Sequence, residues 1–392
     1  MRSGNDPIGD LLLIELASVL AGPSVGQFFA ELGARVVKVE NPLGGDVTRS
    51  WRAPGQAAGA ISAYFACCNY GKESVALDLR DGRERDLVLR LIDQADIVTM
   101  SFRKGPAERL GLGAEELTRR NPRLIVGRIT GYGMGDRRAG YDAVIQAESG
   151  FMSINGDPDS GPVKMPVALT DVLAAHQLKE GLLLALLRRQ MSGRGGVVDV
   201  SLIESAVSAL ANQATNYFAT GRVPRRVGSA HPNIAPYGTV YSAMGEELVL
   251  AVGNDAQFRA LCETLGRSEL ADDTRFLTNR DRVQHREALE HLLVEAIGTW
   301  SRDELLGALN EAGVPAGAVN WLSEVFENGY GNSVTLTDKG RRAGLRQAVF
   351  QDPSRVTLLP PPRLGADTRS VLEEFCGASA EEIDWLGDSA DQ

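Results

Sequence analysis

The stretch LLLIELASVLAGPSVGQFFAELGARVVKVE, residues 11–40, reads as strand, turn, helix and strand, and the fold turns on that reading. LLLIEL (11–16) and RVVKVE (35–40) are short apolar runs of the length and composition of buried strands. Between them SVGQFFAELGA (24–34) has helical spacing and is entered through Gly22-Pro23. Proline suits a first helical turn, where its missing N–H costs nothing, and Gly33 suits the exit. The same alternation continues with SVALDL (74–79), the helix GRERDLVLRLIDQA (82–95), and then DIVTMSF (96–102), RLIVGRIT (123–130) and VVDVSL (197–202). Strands separated by helices give an α/β, Rossmann-like domain with a parallel sheet covered on both faces.

Further along, LIESAVSALANQATNYFATG (202–221) reads as one long helix, and RVPRRVGSAHPNIAPYG (222–238) as a basic linker marked by Pro and Gly. TVYSA and ELVLAVG are strands, 255–315 is mostly helical, and VLEEFCGASAEEIDWL is a helix pair. A chain of 392 residues exceeds one compact core, so two domains are expected.

The net charge of −10 argues against nucleic acid as a partner, although an anionic ligand needs only a local basic pocket. No apolar run is long enough to span a membrane, and the N-terminal apolar segment is too short and too acidic at its edges for a signal peptide. The four cysteines, Cys67, Cys68, Cys262 and Cys376, lack metal-site spacing, and Cys67-Cys68 reads as buried thiol; reduced cysteines and a cytoplasmic address are expected. His176, His231, His285 and His291 are scattered, so no metal site is expected.

The opening unit imitates a dinucleotide site, with Glu40 where an acid would hold ribose hydroxyls. Its turn, however, lacks the G-x-G-x-x-G that lets backbone approach a pyrophosphate. GYGMG (131–135) is an ordinary glycine turn, and no G-x-S-x-G elbow, H-E-x-x-H or P-loop is present. Carboxylates and backbone donors remain for chemistry. Asp171, in VALTDVLAAHQLKEG (167–181), heads an apolar helix. On this stretch it reads first as that helix's N-cap, accepting first-turn N–H groups, with a reactive acid as the other reading.

Taken in order, AGPSVGQFFAELGARVVKVENPLGGDVTRSW, NYGKESVALDL, FRKGPAERLGLG, NPRLIVGRITGYG, GYDAVIQAESGFM, DVLAAHQLKEGLLLALLRR and GRGGVVDVSLIESA resemble the family III CoA-transferases. That group includes formyl-CoA transferase, carnitine CoA-transferase and the 2-methylacyl-CoA racemases, and the likeness runs over nearly the whole chain. It implies a large CoA-binding domain from residues 1–205 and 331–392, a linker helix at 206–225 and a smaller α+β domain at 226–330. It also implies a homodimer of two interlocked chains, acyl-CoA and carboxylate as substrates, and no permanently bound cofactor.

The resemblance makes Asp171 the nucleophile, forming covalent aspartyl intermediates, a role that capping does not exclude. It assigns CoA contacts to Leu20, Ala21 and Asn41, to Asn69, Tyr70, Gly71 and Lys72, to Ser101, Phe102, Arg103 and Arg109, and to Ala139, Gly140, Tyr141 and Asp142 on the approach to the thioester. Asn41 stands where formyl-CoA transferase has arginine, which weakens one phosphate contact. The racemases carry histidine before the acid where this chain has Tyr141 before Asp142. Tyrosine is too weak a base at neutral pH, so racemisation is disfavoured. No glycine-rich insertion lies between 222 and 260, which argues against a formyl or oxalyl substrate. The region of Arg225, Arg226 and His231 most resembles members acting on dicarboxylates such as succinyl-CoA dependent enzymes. Those residues read either as a reader of a distal carboxylate or as a basic linker. A nucleotide-dependent oxidoreductase on a degenerate Rossmann domain is the alternative from another class.

Overall fold

In the computed structural model, residues 8–102, 105–350, 352 and 357–389 are described. Six strands form one parallel sheet: β1 (Leu12–Leu16), β2 (Arg35–Glu40), β3 (Lys72–Ala76), β4 (Ile97–Met100), β5 (Ile125–Thr130) and β6 (Gly196–Ser201). Their order is β3-β2-β1-β4-β5-β6, with every pair parallel. This is the doubly wound arrangement, in which the chain reverses its direction of travel between β1 and β4. Leu13, Ile14, Val37, Val75, Ile97, Val98 and Val126 are fully buried, because a sheet covered on both faces has no solvent side for polar residues.

Helix α1 (Ala21–Glu31) follows β1, starting earlier than its apolar spacing suggested, and Gly33 exits it at φ 99°. Helix α2 (Gly82–Asp93) is capped by Asp81, which accepts from Arg83 and Glu84 N–H. Helix α3 (Asp142–Glu148) precedes the longest, α4 (Leu169–Ser192). Close approach to β6 fixes where α4 lies: a Cβ on Gly181 would sit 2.5 Å from Val198 Cγ1. The segment expected as one helix over 202–221 is two, α5 (Leu202–Ser208) and α6 (Ala211–Thr220), broken where Ala211 takes φ 45°.

The chain divides into two compact units. The first comprises residues 1–150, 165–212 and 331–392, and the second 151–164 and 213–330. The second therefore takes in the segment before α4, and the break falls inside the expected linker helix. It holds the antiparallel strands β7 (Tyr237–Tyr241), β8 (Glu247–Ala251) and β9 (Ala316–Ala318), with a core that includes Leu250, Phe258, Leu289 and Leu305. Among the described residues no helix is long and apolar enough to cross a membrane, and no cluster of three or more His, Cys, Asp or Glu is arranged to hold a metal.

Candidate active site

Ligands of doubly wound sheets bind beyond the carboxyl ends of the strands, where the strand order reverses. Two cavities open there, on either side of Ser18 and Ser101, which line both. The larger, about 420 Å³, runs towards β2 and β3 and is lined by Ala17, Asn41, Leu77, Arg80, Phe102 and Leu110 among others. The smaller, about 180 Å³, runs towards β5 and is lined by Val19, Leu20, Ala21, Gly140, Tyr141, Asp142 and Asp171. Its rim holds a close pinch: a Cβ on Gly131 would lie 2.5 Å from Gly140 Cα, so both ends of the loop 131–140 must be glycine.

Asp171 is not the cap of α4. Ala168 occupies the N-cap position with no side-chain bond, and Asp171 lies two residues into the helix. The cap comes from elsewhere: Asp142 Oδ1 accepts from Thr170 N–H and from Thr170 Oγ1, each at 2.9 Å, while Oδ2 accepts from Gln146 Nε2 at 2.8 Å. Asp142 therefore satisfies the first turn of α4 from the start of α3, and Asp171 is released from that duty. The Asp171 side chain is only 8% exposed, and among the described residues no donor reaches it. Burial, reinforced by the nearby Asp142 charge, pushes its carboxyl up to about 7. A buried carboxylate in a cavity, with no described residue occupying its lone pairs, is a reactive group. Tyr64 stands near it; burial and the Asp171 charge push the phenol up to about 12, so it stays a hydrogen-bond donor at neutral pH.

A buried charge cluster holds the turn between β1 and α1. Lys38 Nζ donates to Glu15 Oε1 at 2.9 Å and to Ala17 O at 2.6 Å, and pairs with Asp46 at 3.1 Å. Asp46 in turn accepts from Val19 N–H at 3.1 Å. Burial opposes the charge on Lys38, but Glu15 and Asp46 outweigh it and hold the ammonium above its usual range. Burial likewise pushes Asp46 upward, and Lys38 together with Thr48 overcomes it, keeping Asp46 ionised.

The expected site residues divide. Leu20, Ala21, Ser101, Gly140, Tyr141, Asp142 and Asp171 come together around the smaller cavity, and Asn41, Ser101 and Phe102 around the larger. Arg109 is exposed beside Leu110, and Ala139 is exposed and lines neither cavity. Arg103 lies outside the described residues. None of Asn69, Tyr70, Gly71 and Lys72 lines either of these two cavities. Lys72 is buried: its ammonium donates to Glu15 Oε2 at 2.8 Å, Pro23 O at 2.9 Å and Asn69 Oδ1 at 2.9 Å, which leaves no proton for a phosphate. Asn69 also donates to Phe65 O, Tyr70 packs against Gly344, and Gly71 N–H is bound by Leu359 O.

Glu40 lines the larger cavity, and Arg49, Ser74 Oγ and Asp46 N–H already occupy its carboxylate. In the second unit, His231 Nδ1 accepts from Asn233 N–H, and Arg226 donates to Ser153 O.

Among the lining residues that the sequence reading did not name are Leu77 and Arg80, which stand just past the end of β3 and line the larger cavity. The signal was present in SVALDLR: ligands gather at the carboxyl end of a strand, so the arginine after β3 outranks the lysine that begins it. Arg80 is exposed and paired with Asp78 at 2.7 Å.

A doubly wound domain with a nucleotide-sized crevice beside an unpartnered acid suits covalent chemistry on a nucleotide-bearing acyl group. The sequence matches CoA-transferase family III over residues 8–368, and the chain belongs to that family. It is an enzyme of CoA transfer. It is 39% identical over 390 residues to a succinate–glutarate CoA-transferase from Agrobacterium fabrum, covering 96% of this chain and 97% of that one. It is 37% identical over 322 residues to an acetyl-CoA:oxalate CoA-transferase from Acetobacter aceti, covering 81% and 82%. A solved CAIB/BAIF family protein from Brucella suis superposes with a TM-score of 0.83 at 40% identity, over 95% of this chain and all of that one.

Proposed function

We propose that this enzyme moves CoA from a dicarboxylyl-CoA, such as succinyl-CoA, to a second carboxylic acid through covalent intermediates on Asp171. The carrying observation is the Asp171 carboxyl itself: buried, without a donor, pushed up to about 7, and lining the cavity at the strand-order reversal. Its oxygen attacks the thioester carbonyl carbon, the C–S bond breaks, and CoA leaves as thiolate with a mixed anhydride on Asp171. The thiolate then attacks the aspartyl carbonyl and expels the donor acid, giving an aspartyl-CoA thioester. The acceptor carboxylate attacks that thioester, and the thiolate returns to the new acyl carbon, which frees Asp171. A carboxylate is a poor nucleophile towards a thioester in water, and dividing the transfer into covalent steps lowers each barrier.

The larger cavity suits the nucleotide end of CoA, with Arg80 and Arg109 as the nearby cations, and the smaller suits the thioester. The relatives named for succinate, glutarate and oxalate support a dicarboxylate acceptor. The oxalate relative removes the weight from the loop-based argument against an oxalyl substrate. The resemblance further supports an interlocked homodimer, which light scattering of the purified chain checks. The test of mechanism is mass spectrometry of the enzyme with succinyl-CoA and no acceptor. The Asp171 peptide should gain CoA as a thioester and lose it to hydroxylamine. An active enzyme with no adduct on Asp171, or an active Asp171→Ala protein, sinks the reading.

A further inference from the structure

Cys67 and Cys68 follow the single helical turn Ala63–Ala66, beside the turn that lines the Asp171 cavity. Cys68 is fully buried; its Sγ donates to Val19 O at 3.6 Å and accepts from Asn69 Nδ2 at 3.6 Å. Cys67, the preceding residue, is half-buried. The neighbouring Cys68 thiol, with help from Lys72, outweighs burial and holds the Cys67 thiol below its usual value, while the neighbouring Cys67 and burial push Cys68 well up. The pair thus combines a half-exposed, thiolate-prone sulfur with a buried protonated thiol on the adjacent residue, the arrangement that lets an oxidised thiol be resolved at once. Cys262 and Cys376 lack such a partner, and burial pushes each up to about 11.

Val19 connects the pair to the site. It lines the smaller cavity with φ 73°, which is strained for a β-branched residue, and its two backbone polar groups are held by Asp46 and by Cys68.

We propose that Cys67 and Cys68 are a hydroperoxide-sensitive thiol pair whose closure to a disulfide switches off transfer at the adjoining cavity. The Cys67 thiolate attacks the peroxide oxygen, the O–O bond breaks, and Cys67 sulfenic acid forms as the peroxide is reduced to water or an alcohol. The Cys68 thiol then attacks that sulfur, expelling water and leaving the disulfide. Cys68 thereby loses the proton it donates to Val19 O. Consecutive Cα atoms are about 3.8 Å apart, short of the about 4.4 Å at which disulfides relax, so the bond is strained and easily reduced. A dithiol reductant therefore reverses it.

The effect on activity rests on the transferase reading; the thiol chemistry does not, and the experiment separates them. The full chain is treated with hydrogen peroxide, and one portion is assayed for transfer. Another is alkylated, digested without reductant and weighed. The Cys67–Cys68 peptide should lose about 2 Da, with Cys262 and Cys376 still alkylated. Transfer should fall at least about tenfold, the scale of loss when a reacting group is misplaced, and dithiothreitol should restore both. Cys67→Ser should keep its starting activity and resist peroxide. An unchanged wild-type peptide mass, or a Cys67→Ser protein inactivated as fast as wild type, overturns the proposal. A protein that loses the 2 Da but never transferred CoA instead overturns the assigned reaction and leaves the thiol pair standing.

Discussion

Replacing Asp171 by Asn should make the protein more stable, and increasingly so as pH rises. Burial and the Asp142 charge raise the Asp171 carboxyl from 3.8 to about 7, so the folded chain holds a proton that the unfolded chain has released across that interval. Stability rises with pH where the unfolded state binds more protons, and here it binds fewer, so the wild type loses stability as pH climbs from 3.8 to about 7. At about 1.36 kcal/mol per tenfold, the full loss is on the order of 4 kcal/mol. About 2–3 kcal/mol of it should develop between pH 5 and pH 8. Asn has nearly the same shape and no proton to lose, so it escapes the whole term.

Paired thermal melts of the two proteins at pH 5 and pH 8 measure this directly. At about 2 °C per kcal/mol for a domain of this size, the gap in favour of Asn should widen by about 5 °C between the two buffers. A gap that stays constant with pH would mean that Asp171 is not a buried, raised acid, and the case for its reactivity would go with it. The same ionisation should set the rate: transfer catalysed by wild type should climb with pH through about 7, because only the carboxylate attacks.

Four further outcomes follow. Asp142→Ala should cost about 1 kcal/mol or more in urea melts, since α4 loses its cap, and should move the rising limb of the pH–rate curve to lower pH by removing a like charge from Asp171. Arg80→Ala and Arg109→Ala should raise the KM for acyl-CoA several-fold with little change in kcat, and added salt should reproduce part of that in wild type. Lys72→Met should instead lower stability by about 3 kcal/mol, because Glu15 loses one of its two lysines in a dry interior, and its acyl-CoA KM should stay near wild type. In heavy water the enzyme should exchange CoA between carboxylates without deuterium entering the 2-position of a 2-methylacyl-CoA, because Tyr141 supplies no base; uptake without exchange would make Asp171 an acid–base residue.

Local patterns carried most of the sheet. β1, α1 and β2 were legible because apolar runs and Gly22-Pro23 sit in one window. β3 was displaced, since Leu77 and Leu79 continue the apolar alternation after the ladder ends at Ala76. The break at Ala211 has no glycine or proline to announce it. Asp171 was legible as a residue but not as a position, because the cap that frees it comes from Asp142, 28 residues from the Thr170 it bonds. The partner of Lys72 was not legible for the same reason: its ammonium donates to Glu15, 57 residues distant, and no local spacing carries such a partner. Distant pairing decides whether a charged side chain binds a ligand or holds the fold together.

The turn after β1 has no glycine-rich fingerprint, yet it performs the task that such a fingerprint performs. A dinucleotide turn uses glycines so that backbone can fold tightly at the strand end without a Cβ in the way. Here the turn is made with Val19 at φ 73°, a conformation that costs on the order of 1–3 kcal/mol and reverts unless its surroundings hold it. The holding groups are side chains from β2, β3 and the loops after them. Lys38 grips Ala17 O, Asp46 grips Val19 N–H, Cys68 grips Val19 O, and Lys72 grips Pro23 O. Three of these four are charged and buried, so each would be costly unpaired, and Glu15 between the two lysines lets them remain. The chain has substituted a buried ionic frame for glycine freedom. The consequence is a stiff wall opposite an acid to which no described side chain donates a hydrogen bond, so on the proposed mechanism the geometry of attack depends on the cavity rather than on the nucleophile.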